Sequence, residues 1–130
     1  MDKHTNMAPR NKSLTKAEEQ IMQALWKLDR AFLREIVEAL PAPKPHQNTV
    51  ATILKILTDK DFVGKEVFGR ANRYYPLISK ENYSRSTIRK VVRNYFQGSF
   101  RDAVSFMVKE NSLTLEELEL LVKELKKEKK

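Results

Sequence analysis

Apolar residues recur at helical spacing in three successive stretches of the first half of the chain. Ala17, Ile21, Ala24, Leu25 and Leu28 share one face, entered through Thr15-x-x-Glu18, a capping box whose side chains satisfy each other's free backbone amides. Leu33, Ile36, Val37 and Leu40 follow at i, i+3, i+4 and i+7. Pro41, Pro43 and Pro45 end this second helix, because proline lacks an amide hydrogen and restricts the residue before it. The spacing predicts a third helix from about Gln47 to Lys60, with Val50, Ile53, Leu54 and Leu57 inward. The period then changes. Phe62 to Phe68 and Arg73 to Leu77, rich in Val, Phe and Tyr, read as two strands of a hairpin, with turn formers between Phe68 and Asn72. Pro76 suits a strand end or edge. Helical spacing returns after Ser79, with Ile88, Val91, Val92, Tyr95 and Phe96 on one face and Gly98 as the stop. A shorter helix covers about Phe100 to Lys109, with Val104, Met107 and Val108 inward. The last opens at a second capping box, Thr114-x-x-Glu117, with Leu113 and Leu118 placed as a hydrophobic staple. Residues 1–12 have no apolar period and read as a flexible arm, and Lys126 to Lys130 as a solvated helix end.

Three helices followed by a hairpin is the order of a winged-helix domain, a helix-turn-helix variant with an added wing. The predicted fold is mainly α with a small antiparallel β-hairpin wing, followed by a helical segment. Such a domain reads DNA with short polar side chains on the exposed face of its third helix. Gln47, Asn48, Thr49 and Thr52 are the candidates here: Gln or Asn can bond adenine bidentately, and a threonine methyl can pack on a thymine methyl. Lys55 on the same helix, with Lys65, Arg70 and Arg73 on the hairpin, are candidates for phosphates. The same residues would also serve as a capped helix start and a solvated face.

Composition narrows the classes. The chain has 130 residues, 41% apolar and 32% charged, which suits a modest core under a charged surface. Lys and Arg number 25 against 17 Asp and Glu, and the resulting charge of +8 favours a polyanionic partner. Cysteine is absent, which removes disulfides, thiol nucleophiles and cysteine-ligated metals. His4 and His46 are the only histidines, so no metal site is expected, and no cofactor. No apolar run reaches the roughly 20 residues of a membrane helix, so membrane insertion is not expected and a cytoplasmic, nucleoid-associated protein is. An enzyme finds little support. Glu18-Glu19, Glu35/Glu38 and Glu116-Glu117 have helix-surface or capping readings, and no glycine-rich phosphate loop exists among three glycines.

The C-terminal stretch carries two further signals. Between Ser79 and Arg101 six cations face Glu81 alone, a bias that suits DNA backbone or an acidic facing helix. Tyr83, Ile88, Val91, Val92, Tyr95 and Phe96, with Leu118, Leu121, Val122 and Leu125, offer more apolar surface than about fifty residues bury alone, which predicts a homodimer.

Several segments match a known family in order. Leu14-Thr15-x-Ala17-Glu18-x-x-Ile21-Met22-x-x-Leu25-Trp26 resembles the first helix of the BlaI/MecI-type penicillinase and methicillin-resistance repressors. Asn48-Thr49-Val50-x-Thr52-Ile53-Leu54-x-x-Leu57-x-x-Lys60-x-Phe62-Val63 resembles their recognition helix running into the wing. Tyr74-Tyr75-Pro76-Leu77-Ile78-Ser79-x-Glu81-x-Tyr83 resembles their domain junction, and Phe96-x-Gly98-Ser99-Phe100 and Leu113-Thr114-x-x-Glu117-Leu118 their dimerisation region.

The resemblance implies a winged helix-turn-helix domain at residues 13–78 and a helical dimerisation domain at 79–130. It also implies a dimeric repressor of palindromic operators with TACA/TGTA-type elements. Release in the family follows when a membrane-bound sensor protease, responding to β-lactam, leads to cleavage in the dimerisation domain. That position falls on Ser105–Phe106 here. Ala51 stands where staphylococcal members carry arginine, and Ser105 where they carry asparagine. The related copper-responsive repressors carry C-terminal cysteines, which this chain lacks. The alternative is a winged-helix protein–protein module with an acidic partner; an RNA-binding module lacks the aromatic stacking signature.

Overall fold

The computed structural model describes residues 13–128, so the arm expected at 1–12 lies outside the described residues. The chain forms two compact units that divide between Thr87 and Ile88. The first holds α1 (Lys16–Leu28), β1 (Ala31–Phe32), α2 (Leu33–Ala39), α3 (Gln47–Asp59), β2 (Val63–Phe68), β3 (Ala71–Pro76) and the start of α4 (Lys80–Tyr95). The second holds the rest of α4, α5 (Phe100–Lys109) and α6 (Leu115–Glu128).

In the first unit the capping box forms as its spacing requires. Thr15 Oγ1 accepts from the Glu18 amide at 3.1 Å, and Glu18 Oε1 from the Thr15 amide at 2.9 Å. The Glu18 carboxylate is buried and also takes Lys60 Nζ at 2.9 and 3.1 Å, a tie across 42 residues to the end of α3. Burial opposes its ionisation, but the Thr15 amide and the Lys60 ammonium outweigh that and hold its pKa below the ordinary carboxylate value.

The three helices close around one core. Ile21, Met22 and Leu25 of α1 meet Ile36 of α2 and Val50, Leu54 and Leu57 of α3, with Phe62, Val63 and Ile78 completing the cluster. Each such fully buried side chain stabilises by about 1.5–3 kcal/mol. Between α2 and α3 the proline segment leaves the carbonyls of Glu38 and Leu40 open, and Lys44 Nζ donates to both, at 2.8 and 2.6 Å.

The sheet has three strands where the sequence predicts two. Its order is β1-β3-β2, all antiparallel, with Ala31 opposite Tyr74 and Phe32 opposite Arg73. A two-residue strand has too few positions to show alternation, which is why β1 escapes a periodicity reading. The hairpin is also tighter than expected. Phe68 pairs with Ala71, so the turn is Gly69-Arg70, and Gly69 supplies the positive φ of 61° that a two-residue hairpin turn needs.

The start of α4 is fastened to this unit. Trp26 Nε1 donates to the Ile78 carbonyl at 2.9 Å. Tyr83 sets its ring 5.8 Å from Trp26 and 5.9 Å from Phe62, and its hydroxyl donates to Glu19 Oε2 at 3.1 Å. Burial, with the Glu19 carboxylate beside it, pushes the Tyr83 pKa up.

The second unit is differently built. Val92 is its buried apolar residue, and α5 and α6 contain none. Phe96 and Phe106 approach to 5.6 Å between ring centroids. Ser99 caps α5 by accepting from the Asp102 amide at 3.0 Å, and the second capping box pairs Thr114 with Glu117 at 2.9 and 3.0 Å.

Candidate nucleic-acid interface

Helix α3 is two-sided because its apolar residues repeat every three to four positions. Val50, Leu54 and Leu57 fill the core, and Gln47, Asn48, Thr49, Thr52 and Lys55 stand exposed. His46 is the N-cap: its Nδ1 accepts from the Asn48 amide at 2.9 Å, which fixes where the helix begins and which residues form its outer first turn. Thr52 Oγ1 donates to the Asn48 carbonyl at 3.0 Å, so its hydroxyl proton is occupied and its methyl remains. The four candidate base readers therefore lie within two turns of one exposed helix start. Ala51, half-buried, adds no polar group to that face.

The four candidate phosphate anchors fall in three situations. Lys65 and Arg70 are exposed and, among the described residues, form no ion pair; Arg70 is at the hairpin turn. Lys55 makes an i,i+4 pair with Asp59 at 3.6 Å, and an exposed pair of this kind is worth only a few tenths of a kcal/mol. Arg73 is held more firmly. Its Nη2 and Nε donate to Glu66 Oε1 at 3.0 and 3.2 Å, and its guanidinium lies 4.6 Å over the Phe68 ring. A groove of about 540 Å³ beside the hairpin brings Arg34, at the start of α2, next to Arg70 and Asn72.

Arg30 and Glu66, at this face, are not singled out by any sequence pattern. Arg30, in the link from α1 to β1, forms an ion pair with the same Glu66 oxygen, Nη1 lying 3.1 Å from it, and lies 4.6 Å over the Tyr75 ring. No local pattern joins positions 30, 66 and 75; only the register of the sheet does.

The residues expected to pair two copies divide. Ile88, Val91, Tyr95, Leu121, Val122 and Leu125 are exposed, Tyr95 by 73%. Leu118 and Phe96 are half-buried and Val92 is buried within the second unit. Tyr83 packs instead into the winged helix, against Trp26 and Phe62. Ser105 and Phe106 lie on α5, both exposed. Among the described residues no cluster of His, Asp and Glu could hold a metal ion, and no helix is long and apolar enough to cross a membrane.

The profile of the penicillinase repressor family matches residues 14–127. The solution structure of the DNA-binding domain of the repressor BlaI is similar at 24% identity and a TM-score of 0.50, over 61% of this chain and 94% of that one. The CopR repressor structure is 30% identical with a TM-score of 0.44, over 52% of this chain and 100% of that one. No curated protein matches the chain. With six helices and a three-stranded antiparallel sheet in winged-helix order among the described residues, and a family match across nearly its whole length, the chain belongs to the penicillinase repressor family: it is a DNA-binding, winged-helix transcriptional repressor and not an enzyme.

Proposed function

We propose that two copies of this chain bind a palindromic operator, with residues 13–78 of each reading one half-site and the segment 79–130 joining them. The observation that carries the first half is the exposed polar start of α3 beside a basic hairpin. Gln47, Asn48, Thr49 and Thr52 read base edges in the major groove, and Lys55, Lys65, Arg70 and Arg73 engage phosphates. Joining the copies makes the second half-site an intramolecular partner, so occupancy depends on the dimer. An operator overlapping a promoter would then exclude polymerase.

The pairing reading is supported by the exposed apolar side chains of the second unit, from Ile88 to Leu125, which two copies can cover. Selection from random duplex DNA tests the whole proposal: a two-fold consensus supports it. Recovery of no sequence, together with capture by an acidic protein, favours the protein–protein module. A monomer mass independent of concentration in sedimentation at micromolar protein sinks the pairing.

A finer proposal concerns release. Cleavage at Ser105–Phe106, through a membrane-bound sensor protease responding to β-lactam, would cut α5 and separate α6 from α4. The supporting observation is that both residues are exposed on a ten-residue helix that contains no buried residue, and such helices open readily. Mass spectrometry of the chain after β-lactam exposure tests this: fragments ending at Ser105 support it, and derepression with the chain intact defeats it.

A further inference from the structure

The outer face of the sheet carries a cluster of which the proposed docking uses Arg73 alone. Strand alternation puts Gly64, Glu66 and Phe68 of β2 on one side, opposite Tyr75, Arg73 and Ala71 of β3. Gly64 matters because it has no side chain: a Cβ there would come within 2.6 Å of the Tyr75 ring. The ring therefore lies across the strand and offers its face to Arg30, 4.6 Å away. Next to it Arg73 lies over Phe68, whose ring meets Phe32 edge-on at 6.0 Å. Both guanidiniums converge on one oxygen, Glu66 Oε1.

The charge count is simple. Two permanent cations share one carboxylate, so the cluster keeps one net positive charge. The three side chains remain 34–44% exposed, so the pairs themselves add little stability. The donor count points outward. A guanidinium has five N–H donors; Arg73 spends two on Glu66, and Arg30 meets the same oxygen in an ion pair at 3.1 Å. The rest sit on flat groups held against aromatic rings, an arrangement suited to phosphate oxygens.

We propose that Arg30 and Arg73 form a phosphodiester-binding pair on the wing, and that Glu66 attenuates it. The proposal rests on the reading of the hairpin as a DNA-contacting wing. Arg30 and Arg73 donate to the backbone of duplex DNA. Glu66 positions them side by side and cancels one of their two charges, which lowers affinity for every sequence alike. Base readout by α3 is untouched, so the ratio of operator to random binding stays the same.

The test measures binding of full-length wild type, Glu66→Gln, Arg30→Gln and the double variant to operator and to random duplex, across 50–200 mM salt. Glu66→Gln should steepen both salt slopes by about 0.9, which changes the affinity ratio across that range about threefold. Arg30→Gln should flatten both slopes by a similar amount, and the double variant should return to the wild-type slope. A merely structural role predicts a lower melting temperature with all slopes unchanged, and that result overturns the proposal. So does a Glu66→Gln change confined to one of the two duplexes. If wild type binds neither duplex at low salt, the DNA-contacting wing fails as well; if it binds and only the variants are silent, the attenuated pair alone fails.

Discussion

The two units of this chain bury very different amounts of themselves. In the winged helix, Met22, Leu25, Ile36, Leu54, Leu57 and Phe62 are wholly sequestered, and charged Glu18 is buried with a partner at each polar atom. In the C-terminal unit Val92 is sequestered, and Ile88, Val91, Tyr95, Phe100, Leu120 and Leu125 stand out in solvent. Yet the helices of both units are equally well begun, each having its own capping box. Local signals therefore make helices in either unit, and only the first has a core that closes on itself. The difference separates a unit with a closed core from one whose apolar side chains stay largely exposed.

That contrast can be broken most decisively in the core. Leu54→Ala should cost about 2–5 kcal/mol, because α1 and α2 cannot collapse fully into the space, and thermal unfolding will read it at any protein concentration. The same truncation at Leu121, 44% exposed, should behave otherwise. Its effect on melting should be within about 0.5 kcal/mol in dilute protein and grow as concentration rises, since only a paired surface is lost. Equal effects at all concentrations would erase the distinction between the units.

The polar tie across the first unit comes next. Lys60→Met leaves the Glu18 carboxylate buried without its ammonium and should cost about 1–3 kcal/mol in denaturant unfolding. The pH dependence has a definite sign. Glu18 has a lower pKa folded than unfolded, so its stabilising contribution is full above the ordinary carboxylate value. It is lost as pH falls through the folded value, because protons then favour the unfolded chain. Glu18→Gln should remove that part of the acid sensitivity. A small and local effect is expected at the far cap: Thr114→Ala should cost about 1 kcal/mol or less, seen as fraying of α6 by hydrogen exchange.

How much of this was legible depended on distance along the chain. Both capping boxes are written in four residues, at Thr15 and at Thr114, and both form. The inner face of α3 follows from the spacing of Val50, Leu54 and Leu57. The hairpin is visible too, although its turn is two residues shorter of slack than Phe68 to Asn72 suggests, because the ladder runs on to the pair Phe68–Ala71. What escaped is what depends on register or on packing between distant elements. Glu18 reads as a cap, and its second partner is 42 residues away. Tyr83 reads as one more residue of an apolar helix face, and its ring and hydroxyl are both taken up by α1 and the loop after α3. Arg73 reads as a free cation, and the strand opposite supplies its carboxylate.

Trp26 is the chain's single tryptophan, and its indole sits where the winged helix receives the start of α4. Its N–H is bonded to the Ile78 carbonyl and its ring neighbours Tyr83, a phenol close enough to pass excitation to it. An optical probe thus stands at the joint between α1 and the start of α4. Red-shifted indole emission, with loss of transfer from tyrosine, would mark that joint coming apart, and no label would be needed to watch it.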